Sequence, residues 1–217
     1  MKRLLSVLLL TAWSLQAAAG PDRLEVAAFS RGELAPWEPQ VFQGHTEYRL
    51  MEEQGRRFLR AHARASASGL VRRIRVDLDR TPWLHWSWRV HRLPPVEDEH
   101  SRSGDDFAAR VYVIIDGGWA FWRTRSLSWV WSARQSAGAV WPNPYTANVI
   151  MVAARGREDA LGEWREERVN LAVALARHLG RPLRWIDAVA VMTDADDSGG
   201  EAMADYGDIW FSAGEEE

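Results

Sequence analysis

The acidic stretch that begins at Asp194 carries the side chains best suited to bind a metal ion. Carboxylate and hydroxyl oxygens are the ligands that Ca²⁺ prefers. Asp194, Asp196 and Ser198 match the first, third and fifth positions of a calcium loop, and Asp205 stands at the twelfth. These four residues are therefore a predicted calcium site, and no other cofactor is expected. The alternative is a turn whose carboxylates cap local backbone N–H groups.

A second acidic pair, Asp105 and Asp106, precedes the predicted strand that carries Arg110. An arginine at that position can clamp a carboxylate. Two carboxyl groups about 5–9.5 Å apart can also act as acid and base on a glycosidic bond. Sequence neighbours on a strand point in opposite directions, so the partner of Asp105 or Asp106 would come from elsewhere. For an enzyme, the candidate catalytic residues are Asp106, Asp194, Asp196 and Asp208.

Aromatic residues in turns and loops are a third chemical signal, because flat rings can stack on sugars. The chain contains 13 Trp, more than a core of this size needs. Trp86 and Trp88 alternate with apolar residues and are predicted to be core, whereas Trp129 and Trp131 fit either role. The predicted ligand-binding residues are Asp105, Asp106, Arg110, Trp119, Trp122, Trp141, Tyr145, Tyr206 and Asp208. Ordinary anchoring of loops is the alternative for the aromatic members.

Composition excludes several classes of function. The chain has no Cys, which excludes thiol catalysis, cysteine–zinc sites and disulfides. Lys2 is the only lysine, so Schiff-base and P-loop mechanisms lack their essential residue in the mature chain. The six His residues show no helical metal-ligand spacing. The formal net charge of −3 is small and mixed along the chain, so no nucleic-acid partner is expected.

The first residues follow the pattern of a secretory signal peptide. Lys2 and Arg3 precede the apolar run 4–15, which is shorter than the roughly 20 residues that span a bilayer. Small residues then lead to a predicted cleavage site near Ala19. We expect export to the periplasm, no stable membrane anchor, and one domain over residues 20–217. The oligomeric state is left open.

Alternation of apolar and polar residues predicts many short strands. The ranges are 46–53, 56–64, 73–78, 84–90, 107–115, 126–132, 148–154, 186–193 and 206–212. The turn at 116–118 is predicted to fold residues 119–122 back as a hairpin. Residues 93–105 are predicted to form a mobile surface loop, and residues 141–144 a loop constrained by proline.

One segment has helical periodicity. Leu171, Leu175 and Leu179 fall on one apolar stripe, and Gly180 follows it as a stop signal. With acidic residues assigned to its first turn, the predicted helix covers about 163–179 and packs on a sheet. Many short strands with one late helix indicate a mainly β, two-sheet sandwich resembling a jelly roll, and not an α/β fold.

Several segments spread over most of the chain carry a resemblance to known proteins: 67–70, 84–88, 105–113, 129–132, 143–145, 164–168, 192–196 and 206–209. On these segments the chain resembles the bacterial secreted family called domain of unknown function 3047. That resemblance implies export and a compact domain, and it brings no established activity. The ending 206–211 also resembles the last strand of galactose-binding-like β-sandwiches.

Three functions compete at this point. The first is a non-catalytic periplasmic domain that binds a cell-envelope or imported glycan, or another envelope component. The second is a polysaccharide-cleaving enzyme that uses an Asp pair, and the third is a structural envelope protein without a ligand. The first two require Asp106, Arg110, Asp194 and Asp208 to lie at one rim of the sandwich.

Overall fold

Two β-sheets form the body of the protein in the computed structural model, which describes residues 23–119 and 123–215. The predicted signal sequence 1–19 and Trp122 lie outside these ranges. The six-stranded sheet contains β1 (Arg23–Ala27), β3 (Glu47–Glu53), β4 (Arg56–Arg64), β6 (Trp83–Arg92), β11 (Arg165–Asn170) and β13 (Glu201–Ser212). The seven-stranded sheet contains β2 (Glu38–Gln43), β5 (Ala67–Asp77), β7 (Arg110–Ile115), β8 (Arg125–Trp131), β9 (Val140–Pro142), β10 (Val149–Arg155) and β12 (Trp185–Asp194).

The sheets are largely antiparallel. The six-stranded sheet has the order β11-β6-β13-β4-β3, with β1 also pairing with β13. The order in the seven-stranded sheet is β2-β5-β12-β7-β8-β10-β9, in which β8 and β10 run parallel. The predicted mainly β sandwich with one helix in the C-terminal half is confirmed. Within the described ranges, no helix is long and apolar enough to cross a membrane.

Four indoles fill the space between the sheets. Alternation turns Trp86 and Trp88 of β6 inward, and it does the same for Trp129 and Trp131 of β8. The ring centroids of Trp86 and Trp129 are 5.8 Å apart, and those of Trp88 and Trp131 are 6.1 Å apart. Trp129 and Trp131, which fitted either role, are therefore core residues that join the two sheets.

The single helix, α1, covers Leu171–Leu179 and is shorter than predicted. Residues 165–170 form strand β11 against β6 instead of the first helical turns. Asn170 begins the helix, because its side-chain oxygen accepts a hydrogen bond from the Val173 N–H at 3.1 Å. The acidic residues before Asn170 therefore belong to an edge strand and not to the helix N-terminus.

The loop 93–105, predicted to be mobile, is held by buried contacts. Glu99 is fully buried and accepts hydrogen bonds from the Ser132 hydroxyl and from the Ala133 N–H at 2.7 Å. Burial raises the pKa of this carboxyl group. A Cβ at Gly104 would lie 2.1 Å from the Asp98 carbonyl oxygen, so only glycine fits there. The polar composition of this loop gave no indication of these buried contacts.

The connection between β7 and β8 is longer than the predicted hairpin. The turn follows Ile115 as expected, but the return strand begins at Arg125 and not at Trp119. Trp119 itself is 88% exposed near the tip of this connection. The predicted return strand therefore does not begin at Trp119, and residues 120–122 lie outside the described ranges.

Candidate functional site

A groove of about 740 Å³ runs across the outer face of the seven-stranded sheet. Alternation places Ala188 and Ala190 of β12 on this face, and Gly69 of β5, which pairs with Met192, lines the groove as well. A Cβ at Gly69 would lie 2.9 Å from the Val191 carbonyl oxygen, so this part of the floor cannot carry a larger residue without a shift. Small residues in the middle of the sheet thus leave room for a ligand.

Arg110 organises the polar end of the groove. Its side chain is 2% exposed, and its Nε donates to Asp194 Oδ1 at 3.0 Å. A second guanidinium nitrogen contacts Asp194 Oδ2, so the pair is bidentate. Another nitrogen lies 3.4 Å from Asp105 Oδ1, and the other oxygen of Asp105 accepts from Asn143 Nδ2 at 2.7 Å. The predicted arginine–carboxylate clamp is present.

Asp106 has different hydrogen-bond partners from Asp105 and a different role. It is fully buried and accepts hydrogen bonds from the backbone N–H groups of Asp197, at 3.2 Å, and Ser198, at 2.6 Å. It holds the acidic turn against the start of β7 and does not line the groove. The capping carboxylate therefore comes from a distant segment, whereas the alternative to a calcium loop had assigned capping to the carboxylates of the turn itself.

The predicted calcium loop has a different composition in the structure. One carboxylate oxygen from each of Asp106, Asp194 and Asp196 lies within 4.8 Å of the others. Asp205, placed at the twelfth loop position by spacing, was wrong as a member of this site. It lies on the outer face of the six-stranded sheet, where Arg60 Nε donates to it at 2.7 Å. Of the four residues predicted to bind Ca²⁺, Asp194 and Asp196 lie in this carboxylate cluster, and binding of the ion stays a prediction.

Burial and crowding of negative charge affect the acidic end of the groove. Burial raises the pKa of Asp105, partly offset by Arg110. Burial also raises the pKa of Asp196, and the neighbouring carboxyl group of Asp106 adds to this effect. Both shifts favour the protonated, neutral form of these two carboxyl groups.

The aromatic residues that were considered as stacking platforms differ in exposure and in position relative to the groove. Tyr145, 49% exposed, lines the groove, and its hydroxyl donates to Asp197 at 2.6 Å. Phe42 of β2 lines the groove as well and is 66% exposed. Trp141 was wrong as a stacking platform, because it is 3% exposed and packs against Phe107. Trp119 does not line the groove.

Tyr206 and Asp208 are not groove residues, although both were predicted to bind ligand. Tyr206 is fully buried, and its hydroxyl reaches across the sandwich to the Met192 carbonyl oxygen at 2.6 Å. Asp208 lies on β13 and accepts from the Ser30 N–H at 2.9 Å and the Ser30 hydroxyl at 2.5 Å. The structure therefore brings Asp106, Arg110 and Asp194 together and places Asp208 on the other sheet.

Replacing Tyr206 by Phe should lower the free energy of unfolding by about 1–3 kcal/mol. The hydroxyl also lies 2.9 Å from Thr193 Oγ1 and accepts from the Arg110 N–H at 3.2 Å, so its loss leaves buried polar groups without a partner. Urea unfolding of the two proteins measures this difference. Unchanged stability together with lost ligand binding would contradict it and return Tyr206 to the binding site.

The proposed acid–base pair is not formed across the groove. Of its four candidates, Asp106 and Asp208 do not line the groove. Asp194 and Asp196 do, but they belong to one cluster, in which Arg110 binds Asp194. Glycoside cleavage needs carboxyl groups on both sides of the scissile bond, and these four candidates do not form such a pair across the groove.

Several residues that line the groove were not predicted from the sequence. Phe42, Tyr112 and Asn143 line the groove together with the small floor residues. A signal for the floor was available, because Ala188 and Ala190 are small apolar residues on the outer face of a central strand. That face would carry larger side chains if another layer covered it.

A family model described as "Protein of unknown function (DUF3047)" matches residues 35–210. No curated protein matches the sequence. Similar solved structures include the family 11 carbohydrate-binding module of a cellulosomal cellulase from Clostridium thermocellum, at 10% identity and a TM-score of 0.46. That alignment covers 89% of this chain and 96% of the module.

A cellulase derived from Cel12A of Rhodothermus marinus aligns at 12% identity and a TM-score of 0.47, covering 86% of this chain and 98% of the cellulase. The glycoside hydrolase domain of Endo-D from Streptococcus pneumoniae R6 aligns at 10% identity and a TM-score of 0.44. That match covers 83% of this chain but only 22% of the other.

Proposed function

This chain belongs to the DUF3047 family of proteins of unknown function, and we propose that it binds a glycan in the groove on the outer face of the seven-stranded sheet. The observation that carries the proposal is the groove itself, with its small floor and mixed polar and aromatic lining. A concave site with a few fixed polar groups is the usual form of a small-molecule site.

The dimensions of the groove suit an extended ligand. Asp187 and Asp194 both line it and lie at opposite ends of the same strand, β12. At about 3.3 Å per residue, they are roughly 20 Å apart along the strand. An oligosaccharide lying along this line would contact the floor at Ala188 and Ala190.

The chemistry of the lining suits sugars. Hydroxyl groups of a glycan can donate to the carboxylates of Asp105 and Asp197 and accept from Asn143 Nδ2. These side chains are already oriented, since Asn143 donates to Asp105 and Tyr145 donates to Asp197. The exposed rings of Phe42 and Tyr145 offer apolar surfaces for sugar faces.

The predicted signal sequence supports an envelope or imported glycan as the ligand, met in the periplasm. Export is part of this proposal. Detection of the mature chain in a periplasmic extract, with a new N-terminus near residue 20, is the outcome expected from it.

Replacing Tyr145 and Phe42 by Ala should weaken glycan binding about tenfold or more, because aromatic contacts dominate binding energy at such sites. Both residues are exposed, so the melting temperature should change little. Calorimetric titration with soluble envelope and plant oligosaccharides measures the affinity, and Trp119→Ala is the control for loss of an exposed aromatic. Equal affinity of the double variant and the unaltered protein, or no binding of any oligosaccharide, would remove the proposal.

A further inference from the structure

The charges around the groove are unbalanced. Its lining includes six carboxylates and two guanidinium groups. One guanidinium group, Arg110, is committed to the Asp105 and Asp194 carboxylates. The other, Arg73, is exposed and lies 4.0 Å from Glu38, which does not line the groove. The groove therefore has more carboxyl groups than its two arginines can pair with.

Four of the lining carboxylates lack a cationic partner. Among the described residues, Asp116, Asp187, Asp196 and Asp197 form no salt bridge. Their hydrogen-bond donors include neutral groups, which are the Tyr145 hydroxyl for Asp197 and backbone N–H groups for Asp116 and Asp187. Such hydrogen bonds orient a carboxylate and leave its charge in place.

These carboxylates occupy both ends of the groove. Asp196 and Asp197 lie in the turn after β12, and Asp187 lies near the start of that strand, where it accepts from the Asp116 N–H at 3.0 Å. The apolar floor separates the two groups by roughly 20 Å. A ligand that spans the floor would therefore meet unpaired negative charge at each end.

We propose that the groove selects a glycan with free, protonated amino groups, such as an oligomer of amino sugars that are not N-acetylated. This inference rests on the proposed glycan-binding function and specifies its ligand class. An ammonium group supplies charge-assisted hydrogen bonds to carboxylates that a hydroxyl or an acetamide cannot match. Anionic glycans are disfavoured, because they would add like charge to the groove.

A matched pair of oligosaccharides tests the inference. Glucosamine tetramer and N-acetylglucosamine tetramer share linkage and length and differ in charge. At pH 5.5 and low salt, we expect calorimetry to show at least tenfold tighter binding of the glucosamine tetramer. The difference should shrink as NaCl rises from 20 to 500 mM, because salt screens exposed charges.

The double variant Asp187→Asn/Asp197→Asn should remove most of this preference, because it should weaken binding of the glucosamine tetramer much more than binding of the N-acetylated tetramer. Both asparagines keep a side-chain oxygen that can accept the hydrogen bonds from Asp116 N–H and the Tyr145 hydroxyl. Asp79→Asn is the control, because Asp79 is an exposed carboxylate that does not line the groove. It should leave both affinities unchanged.

The outcomes separate this inference from the proposed function. Equal affinity for the two tetramers, or an unchanged preference in the double variant, overturns the selection for amines and leaves glycan binding standing. No binding by either tetramer overturns the selection as well. The titration with other oligosaccharides then decides whether the groove binds any glycan. A melting temperature raised by CaCl₂ alone, with binding of the glucosamine tetramer abolished by Ca²⁺, would assign the unpaired carboxylates to a metal ion instead.

Discussion

Trp141→Ala is expected to lower the free energy of unfolding by about 3–5 kcal/mol, the usual cost of deleting a large buried aromatic side chain. Trp141 packs in a small cluster on the outer side of the seven-stranded sheet with Phe107, Val130 and Met151. His100 covers it as well, with ring centroids 5.5 Å apart. Removing the indole leaves a cavity that these neighbours cannot fill. Urea unfolding followed by fluorescence or circular dichroism measures the loss.

Trp119→Ala is the matched control, because the same deletion is made at a side chain that is 88% exposed. We expect a change of about 0.5 kcal/mol or less there. Similar stability of the two variants would contradict the burial of Trp141. Loss of glycan binding in Trp141→Ala has meaning only where the variant is still folded at the assay temperature.

Arg110→Met is the second change with a large expected effect. It removes the partner of Asp194, which is itself buried, and thereby leaves a carboxylate without compensation in the interior. Breaking a buried ion pair in this way costs about 3–5 kcal/mol. We expect a lower melting temperature and a loss of order at the acidic end of the groove. Thermal unfolding and the dispersion of the tyrosine signals in NMR spectra report these two effects.

Arg73→Met is the control for Arg110→Met, since Arg73 lines the same groove but is exposed. Its replacement should change stability by about 0.5 kcal/mol or less. The double variant Arg110→Met/Asp194→Leu adds a second check. If the loss of stability comes from the buried Asp194 carboxylate without a cationic partner, the double variant should be more stable than Arg110→Met alone.

Much of the fold follows from period-two alternation. Leu84, Trp86, Trp88 and Val90 alternate with polar residues in the sequence and turn inward from β6 in the structure. This works because one face of each sheet packs against the other sheet, so inward-facing side chains recur at every second residue. The helix stripe was equally readable, and only its start was misplaced, because β11 leads directly into Asn170.

The site was harder to predict than the fold. The face of the sheet on which a side chain lies depends on whether its position along the strand is odd or even, and a bulge changes that count. Asp205 and Asp208 both follow the acidic turn closely in sequence, yet both lie on the six-stranded sheet, away from the groove. Strand β13 also shifts register between Tyr206 and Ile209. No spacing rule reveals such a bulge, so the orientation of Asp208 could not be inferred.

Loop aromatics posed a related problem. Trp141 and Tyr145 are four residues apart in one proline-containing segment, and composition treats them alike. In the structure, Trp141 belongs to the short strand β9 and is covered, whereas Tyr145 follows that strand and stays exposed. Pairing of β9 with β10 makes the difference, and pairing between such short strands is decided by the tertiary fold.

The contacts of Arg110 join stretches of chain that are distant in sequence. Asp194 is 84 residues from Arg110, and Asn143 is 38 residues from Asp105. Closing such long loops delays folding, because their entropy is lost before the contacts form. The polar end of the groove can thus assemble only after segments far apart in the chain have met, so a partly folded chain would lack this surface.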